Sequence, residues 1–169
     1  MTEAILENPS VRRVRAALIE RGAGERVIVL SDSARTAAEA AAALGCPVGA
    51  IVKSLVFAHQ GQNGEKRAVM ALVAGDRQCD VAALGRALGL DGTPKRADAE
   101  LVRAATGFAI GGVAPLGHPA PLPIAVDDSL ARFETLHAAA GHPHAVFPLK
   151  YRELLDWTGA PAAAIAAGG

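Results

Sequence analysis

Apolar positions recur along this chain in two rhythms, and the elements begin and end where the rhythm changes. Asn8-Pro9-Ser10 opens a helix with Val11, Val14 and Leu18 on one face, running to about Arg21 inside an N-terminal helical segment over residues 1–24. Val27 to Leu30 reads as a short strand, and Thr36 caps an alanine-rich helix that stops at Gly45. The most apolar run follows, Gly49-Ala50-Ile51-Val52-Lys53-Ser54-Leu55-Val56-Phe57. Rich in β-branched residues and preceded by Pro47, it predicts a buried strand. Gly61-Gln62-Asn63-Gly64 is a turn into a second strand, Arg67 to Val73, so the two form an antiparallel hairpin.

Asp80 caps a helix through about Leu88, Leu90 to Lys95 is a loop of turn formers, and a helix covers about Ala97 to Ala105. Thr106 to Pro119 holds four glycines and two prolines in fourteen residues, which excludes an ordinary helix or a long strand. Beyond it, Pro123 to Val126 reads as a strand and Asp127-Asp128-Ser129 as a cap or turn. Phe133 to Ala138 is a further strand, Ala139 to Pro143 a turn, and His144 to Phe147 the strand after it. Pro148 starts a helix through Trp157, and the small apolar tail from Gly159 is a last short element that frays. Helices alternating with strands, one hairpin included, place residues 1–169 in a single mixed α/β or α+β domain.

Composition narrows the chemistry. Hydrophobic residues make up 51% and aromatic ones 4%, so the core is built from Ala, Val, Leu and Ile. Seventeen basic side chains balance seventeen acidic ones, which argues against bulk adhesion to nucleic acid, DNA included. Arg12, Arg13 and Arg15 can still make a local basic face or simply a solvated helix flank. No stretch is long enough to span a bilayer, and Cys46 and Cys79 lack the spacing of a disulfide framework or a zinc site. Both point to a reducing cytoplasm.

Two segments invite a functional question. Lys53, one of four lysines against thirteen arginines, sits where a cation is costly unless something negative or dipolar meets it. The alternative is an edge position from which the ammonium reaches water along an apolar stem. Gly111-Gly112-Val113-Ala114-Pro115 can bring successive backbone amides against an anion or a developing oxyanion, or serve only as a tight connection. It is neither a phosphate loop nor a dinucleotide fingerprint, since no Lys-Ser/Thr follows and the glycine spacing is wrong. His137, His142 and His144 lack the partners a metal site needs, and no Gly-x-Ser-x-Gly elbow offers a hydrolase serine.

The order of these segments resembles the YbaK/ProX-type aminoacyl-tRNA deacylases, related to the editing insertion domain of bacterial prolyl-tRNA synthetases. It runs from about Thr36 to Ala164 through the Ile51 to Phe57 wording, Gly75-Asp76 and Thr106-Gly107-Phe108. The Gly111 to Pro115 loop, Val126-Asp127-Asp128-Ser129-Leu130 and Ala140-Gly141 complete it. The resemblance implies an α+β domain around a mixed, mostly antiparallel, barrel-like sheet flanked by helices. It implies hydrolysis of the ester of a misacylated tRNA, foremost tRNA(Pro) carrying Ala, Cys, Ser or a similar small residue, with prolyl-tRNA synthetase as a possible docking partner.

By the same resemblance Lys53, Gly111 and Gly112 are the catalytic positions. Thr36, Ser54, Gly107, Val113, Ala114, Pro115, Asp127, Gly141 and His142 bind substrate. No metal or other cofactor is expected, because water attacks with help from a hydroxyl of the terminal ribose. Ser54 departs from the Asn that alanyl-tRNA(Pro) relatives often carry after the lysine, and Gly141-His142-Pro143-His144 departs from the Gly-Lys/Arg-Arg-Gly turn of cysteinyl-type relatives. The subgroup stays open. Two rival functions remain: a non-catalytic module binding tRNA ends or a synthetase, and an esterase acting on a free metabolite.

Overall fold

A long hairpin organises the molecule, whose computed structural model describes residues 2–167. The N-terminal segment is two helices, α1 (Thr2–Leu6) and α2 (Pro9–Glu20), rather than one. Asn8 separates them because its side chain turns back to cap α2, accepting from Ser10 N at 2.9 Å. The strand expected over 27–30 is reduced to β1 (Ile28–Val29), and α3 (Ala37–Leu44) follows. Thr36 and Glu39 form a reciprocal capping box at the start of α3, and Gly45 ends it at φ 67°. A 3-10 turn at Val48–Ala50 precedes β2 (Ile51–Gln60), so the strand begins two residues past Gly49, the residue that bounds the apolar run. A side chain at Gly49 would sit 2.9 Å from the Asp76 carboxylate and the Phe133 ring.

β3 (Lys66–Ala74) returns antiparallel to β2, in register from Val52 opposite Ala74 to Gln60 opposite Lys66. Then come β4 (Gln78–Cys79), α4 (Val81–Ala87) capped by Asp80, β5 (Lys95–Arg96) and α5 (Ala99–Thr106) capped by Asp98. After the glycine-rich segment, β6 (Ile124–Asp127) leads through a 3-10 turn at Asp128–Arg132 into β7 (Leu136–His142), β8 (Ala145–Leu149) and α6 (Tyr151–Thr158). Two short strands close the described chain, β9 (Ala162–Ala163) and β10 (Ala166–Ala167).

Seven of the strands form a path in the order β1-β8-β7-β2-β3-β6-β9, and β5 joins β2 to complete an eight-stranded sheet. The longest ladders, β2 with β3 and β7 with β8, are antiparallel, whereas β2 with β7, β3 with β6 and β6 with β9 are parallel. This is the mixed, mostly antiparallel α/β sheet with flanking helices that the sequence predicted. The path has two ends, β1 and β9.

β3 is the centre of the core. Met70 and Leu72 face one cluster, with Val11, Val14 and Leu18 of α2 and the fully buried Phe108 and Phe147. Val69, Ala71 and Val73 face another with Leu84 and Ile165. A strand covered on both faces reads as an unbroken apolar run, which is how residues 68–74 appear.

Four expectations near the C-terminus need correction. Residues 139–142 are strand: β7 continues through His142 with a register shift between Ala139 and His142, Gly141 takes φ 93° there, and the turn into β8 is only Pro143-His144. β7 also starts at Leu136 rather than Phe133. Pro148 lies inside β8 opposite His137 and starts no helix. β1 ends opposite Val146, so β8 is an edge strand at Pro148, where a missing N–H is tolerated. The tail is not a fraying element, because β9 pairs with β6, β10 pairs with β4 and Ile165 is fully buried.

Asp127 anchors that tail. Its buried carboxylate accepts from Ser129 N at 3.2 Å and Ile165 N at 3.1 Å, and from the Ser129 hydroxyl. Removing it strands these donors, so Asp127→Ala is expected to lose about 2–3 kcal/mol, a fall in Tm of roughly 5–10 °C. An unchanged melting curve would show the carboxylate to be free of that structural role.

Candidate functional site

The sheet has a gap, and the gap is the candidate site. On the edge away from β3, β2 is paired by β7 at Ile51 and Val52 and by β5 at Phe57 and Ala58. Neither strand pairs with residues 53–56. The Val56 carbonyl accepts from Ala97 N at 3.2 Å, while the Ile51 carbonyl accepts from Gly75 N at 2.8 Å on the other side. By alternation, the N–H and C=O of Ser54 point into the gap. A cleft of about 730 Å³ opens there, lined by β2, β5, β7, the start of α3 and the Ile110 to Val113 loop.

Lys53 is a half-buried wall of this cleft, opposite Val73 in the ladder. Its ammonium donates to the carbonyl of Arg77. That carbonyl is in place because the chain turns sharply after β3: a side chain at Gly75 would lie 2.3 Å from the Val48 carbonyl, so only glycine fits. Asp76 leaves the turn outward and takes a paired bond from Arg132 at 3.1 and 2.8 Å. Burial pulls the Lys53 amine below its ordinary range, Asp76 and Cys79 oppose the shift, and Arg96 adds to it. An ammonium has three donors, so those not taken by Arg77 can meet a ligand.

Of the other positions singled out from sequence, Thr36, Ser54, Gly111 and Val113 also line the cleft. The Ser54 hydroxyl is buried with no protein partner. Thr36 has a structural task as well, since its hydroxyl caps α3. Gly112 packs against the end of β7, where a Cβ would meet His142 N at 2.8 Å. Gly141 makes the matching close approach to the Ser10 carbonyl, also at 2.8 Å.

Gly107, Ala114, Pro115, Asp127, Gly141 and His142 are not part of the cleft wall. Gly107 ends α5 at φ 79°, and its carbonyl accepts from Arg13 at 2.7 Å. Ala114 is fully buried, its carbonyl bonded to His118 Nε2 at 2.8 Å. Pro115 borders a separate shallow hollow of about 340 Å³ with Leu122 and Trp157. His142 Nδ1 accepts from His144 N at 3.0 Å, and burial, His144 and Arg35 push its ring toward the neutral form.

The cleft also holds residues that the sequence did not assign to the site. Arg35 and Arg96 stand on its wall, and Gln78, Cys79 and His137 join them. The His137 ring, pushed toward neutrality by burial, has its Nδ1 buried without a protein partner. Burial, then Asp80 and Asp127, push the Cys79 thiol up to about 11, so it is no thiolate at neutral pH and a poor nucleophile. Among the described residues no group of three His, Cys, Asp or Glu side chains is placed to hold a metal ion. No helix among them is long and apolar enough to cross a membrane.

Comparison with known proteins places the same stretch in a known family. The model of the aminoacyl-tRNA editing domain matches residues 31–157. A proline–tRNA ligase of Trichlorobacter lovleyi is 38% identical over 108 residues, 63% of this chain but 18% of the ligase. The chain thus spans under a fifth of that enzyme. The Bacillus subtilis protein YwhH, itself uncharacterised, is 27% identical over 88% of this chain and 91% of its own length. A solved structure described as a candidate trans-editing enzyme for prolyl-tRNA synthetase superposes with a TM-score of 0.84 at 46% identity. That match covers 95% of this chain and 99% of the other. The structure of hypothetical protein APE2540 gives 0.80 at 28% identity, over 92% and 99%.

The Gly112 contact generates a prediction. Gly112→Ala forces a methyl into backbone atoms of Gly141 and His142, at an expected cost of about 1–3 kcal/mol in chemical denaturation. Stability equal to that of the unaltered protein would mean that the loop does not bear on the end of β7.

Proposed function

The chain belongs to the aminoacyl-tRNA editing domain family, and from that premise we propose that it hydrolyses the ester of a misacylated tRNA. The observation that carries this reading is the Lys53 ammonium, held by the Arg77 carbonyl beside a stretch of strand edge that no other strand covers. The terminal adenosine enters the gap and meets the free backbone groups and hydroxyl of Ser54. Lys53 donates to an oxygen of the aminoacyl ester or its ribose, which orients the carbonyl.

Water adds to the ester carbon, its proton passing to a ribose oxygen. The tetrahedral oxyanion collapses to a free amino acid and a tRNA hydroxyl. The backbone amide of Gly111, on the cleft wall, stabilises the oxyanion, one such donor being worth about 10²–10³ in rate, whereas the Gly112 amide is taken by the Ala109 carbonyl at 3.1 Å. The step uses the substrate's own hydroxyl, which fits a cleft whose thiol is protonated and whose wall carries no carboxylate among the described residues.

The aminoacyl pocket is built from small aliphatic groups, Val113, Ala138 and Ala139 among them, and suits Ala, Ser or Cys. One methylene in such a pocket discriminates by only about 1–3 kcal/mol, so neighbouring small residues are accepted to differing degrees. The likeness to a proline–tRNA ligase and to a candidate trans-editing enzyme for prolyl-tRNA synthetase supports tRNA(Pro) as the carrier and prolyl-tRNA synthetase as a partner.

The test is release of amino acid from tRNA(Pro) charged with Ala, Ser or Cys, for the unaltered protein and Lys53→Ala. The expected result is a fall of about 10²-fold or more in kcat/KM with an unchanged circular dichroism spectrum. Equal turnover by the variant would remove Lys53 from the reaction, and no release by the unaltered protein from any of the three would overturn the reading.

A further inference from the structure

The charge of the cleft is lopsided. The whole chain is neutral, yet the wall carries Arg35, Lys53 and Arg96 and no Asp or Glu among the described residues. Lys53 is tied to the Arg77 carbonyl. Arg35 and Arg96 are exposed, and neither guanidinium makes a salt bridge or a hydrogen bond to the described residues. Most other arginines have a task that explains them: Arg26 grips Glu153 at 2.8 Å, Arg132 grips Asp76, and Arg13 holds the Gly107 carbonyl.

Arg77, Arg86, Arg103 and Arg152 also lack a side-chain partner among the described residues, but Arg35 and Arg96 are the two arginines on the cleft wall, one toward each end of the gap. Arg96 is opposite Phe57 in the β5 pairing. Arg35 immediately precedes the Thr36 cap of α3, a helix that packs on Ile51, and its side chain lies 3.6 Å from where a Cβ of Gly111 would be. Six residue steps separate Ile51 from Phe57, about 20 Å of strand. On the same cleft wall, next to Gly111, is Ile110, the most exposed large hydrophobic side chain described, at 60%.

A cleft walled by one sign of charge concentrates the opposite charge, and a guanidinium fork matches a phosphate. An apolar side chain at the same mouth offers a surface to the face of a base. We propose that Arg35 and Arg96 each hold a phosphodiester of an RNA 3′ segment, one toward each end of the gap, with Ile110 against a base. The arginines thereby feed the end of the strand into the gap beside Ser54. This rests on the reading of the cleft as an aminoacyl-tRNA site and adds the residues that grip the polynucleotide. It also explains how a chain of zero net charge engages a polyanion, by a paired local contact instead of a basic surface.

The experiment is a salt titration of binding to an RNA minihelix ending in CCA and carrying no amino acid, read by fluorescence anisotropy. Each single-strand phosphate neutralised contributes about −0.7 to the slope of log K against log salt. The double variant R35Q/R96Q is therefore expected to flatten the slope by about 1.4 and to bind more weakly at low salt. R35K/R96K keeps the charges and keeps the slope, and R152Q, exposed on α6 away from the cleft, leaves it unaltered.

A slope unchanged in R35Q/R96Q, or a minihelix not bound by the unaltered protein, overturns the proposal. Ile110→Ser is expected to weaken binding about threefold at every salt concentration. An unchanged affinity removes the base contact. Because the RNA bears no ester, these outcomes are independent of catalysis. A protein that grips the minihelix through both arginines but releases no amino acid from charged tRNA would sustain this inference and sink the deacylase reading.

Discussion

Everything at the site depends on β2 having two different neighbours along one edge. β7 meets its first residues in parallel and β5 meets its later ones antiparallel, and between them the backbone of residues 53–56 is left without a strand partner. Exposed strand edges are usually a liability, blunted by charge or covered. Here the gap is kept short and is walled by three cationic side chains, which discourages pairing with another chain and leaves polar groups free for a ligand. The far edge of β2 is locked to β3 over nine residue pairs, so the gap has a rigid floor.

The same constraint explains why a lysine is tolerated in an apolar strand. The Lys53 side chain leaves β2 on the face of Leu55 and Phe57, and the turn at Gly75 delivers a carbonyl to its ammonium. The carbonyl supplies a dipole and no neutralising charge, so the amine remains a cation with donors to spare. A carboxylate in that place would have satisfied it and left little for a substrate. Asp76 is diverted by Arg132, and the Asp127 carboxylate is taken by Ser129 and Ile165.

Much of this was legible in the residues, and the failures have physical causes. The hairpin followed from two apolar runs on either side of the Gly61 to Gly64 turn, and the helix starts from Thr36 and Asp80, whose caps are local interactions. Gly141-His142-Pro143-His144 has the composition of a turn, but only Pro143 and His144 make one, and Gly141, close against the Ser10 carbonyl, belongs with His142 to a distorted strand end. Pro148 looked like a first helical residue because nothing local reveals that β1 stops short of it. Thr36, Lys53, Ser54, Gly111 and Val113 line one cleft. Gly107 and Asp127 instead have structural partners visible only in three dimensions. Arg35 and Arg96 escaped notice because unpaired arginines are recognisable only once every carboxylate has been placed.

The most direct measurement is a crystal structure of the protein with adenosine carrying alanine through a 3′ amide, a linkage that water does not cleave. The account predicts the adenosine in the gap between β7 and β5, against Ser54, with Lys53 Nζ within hydrogen-bond distance of the ribose or the acyl oxygen. A ligand seated elsewhere, such as the hollow beside Pro115 and Trp157, with the gap closed by strand pairing, would contradict it.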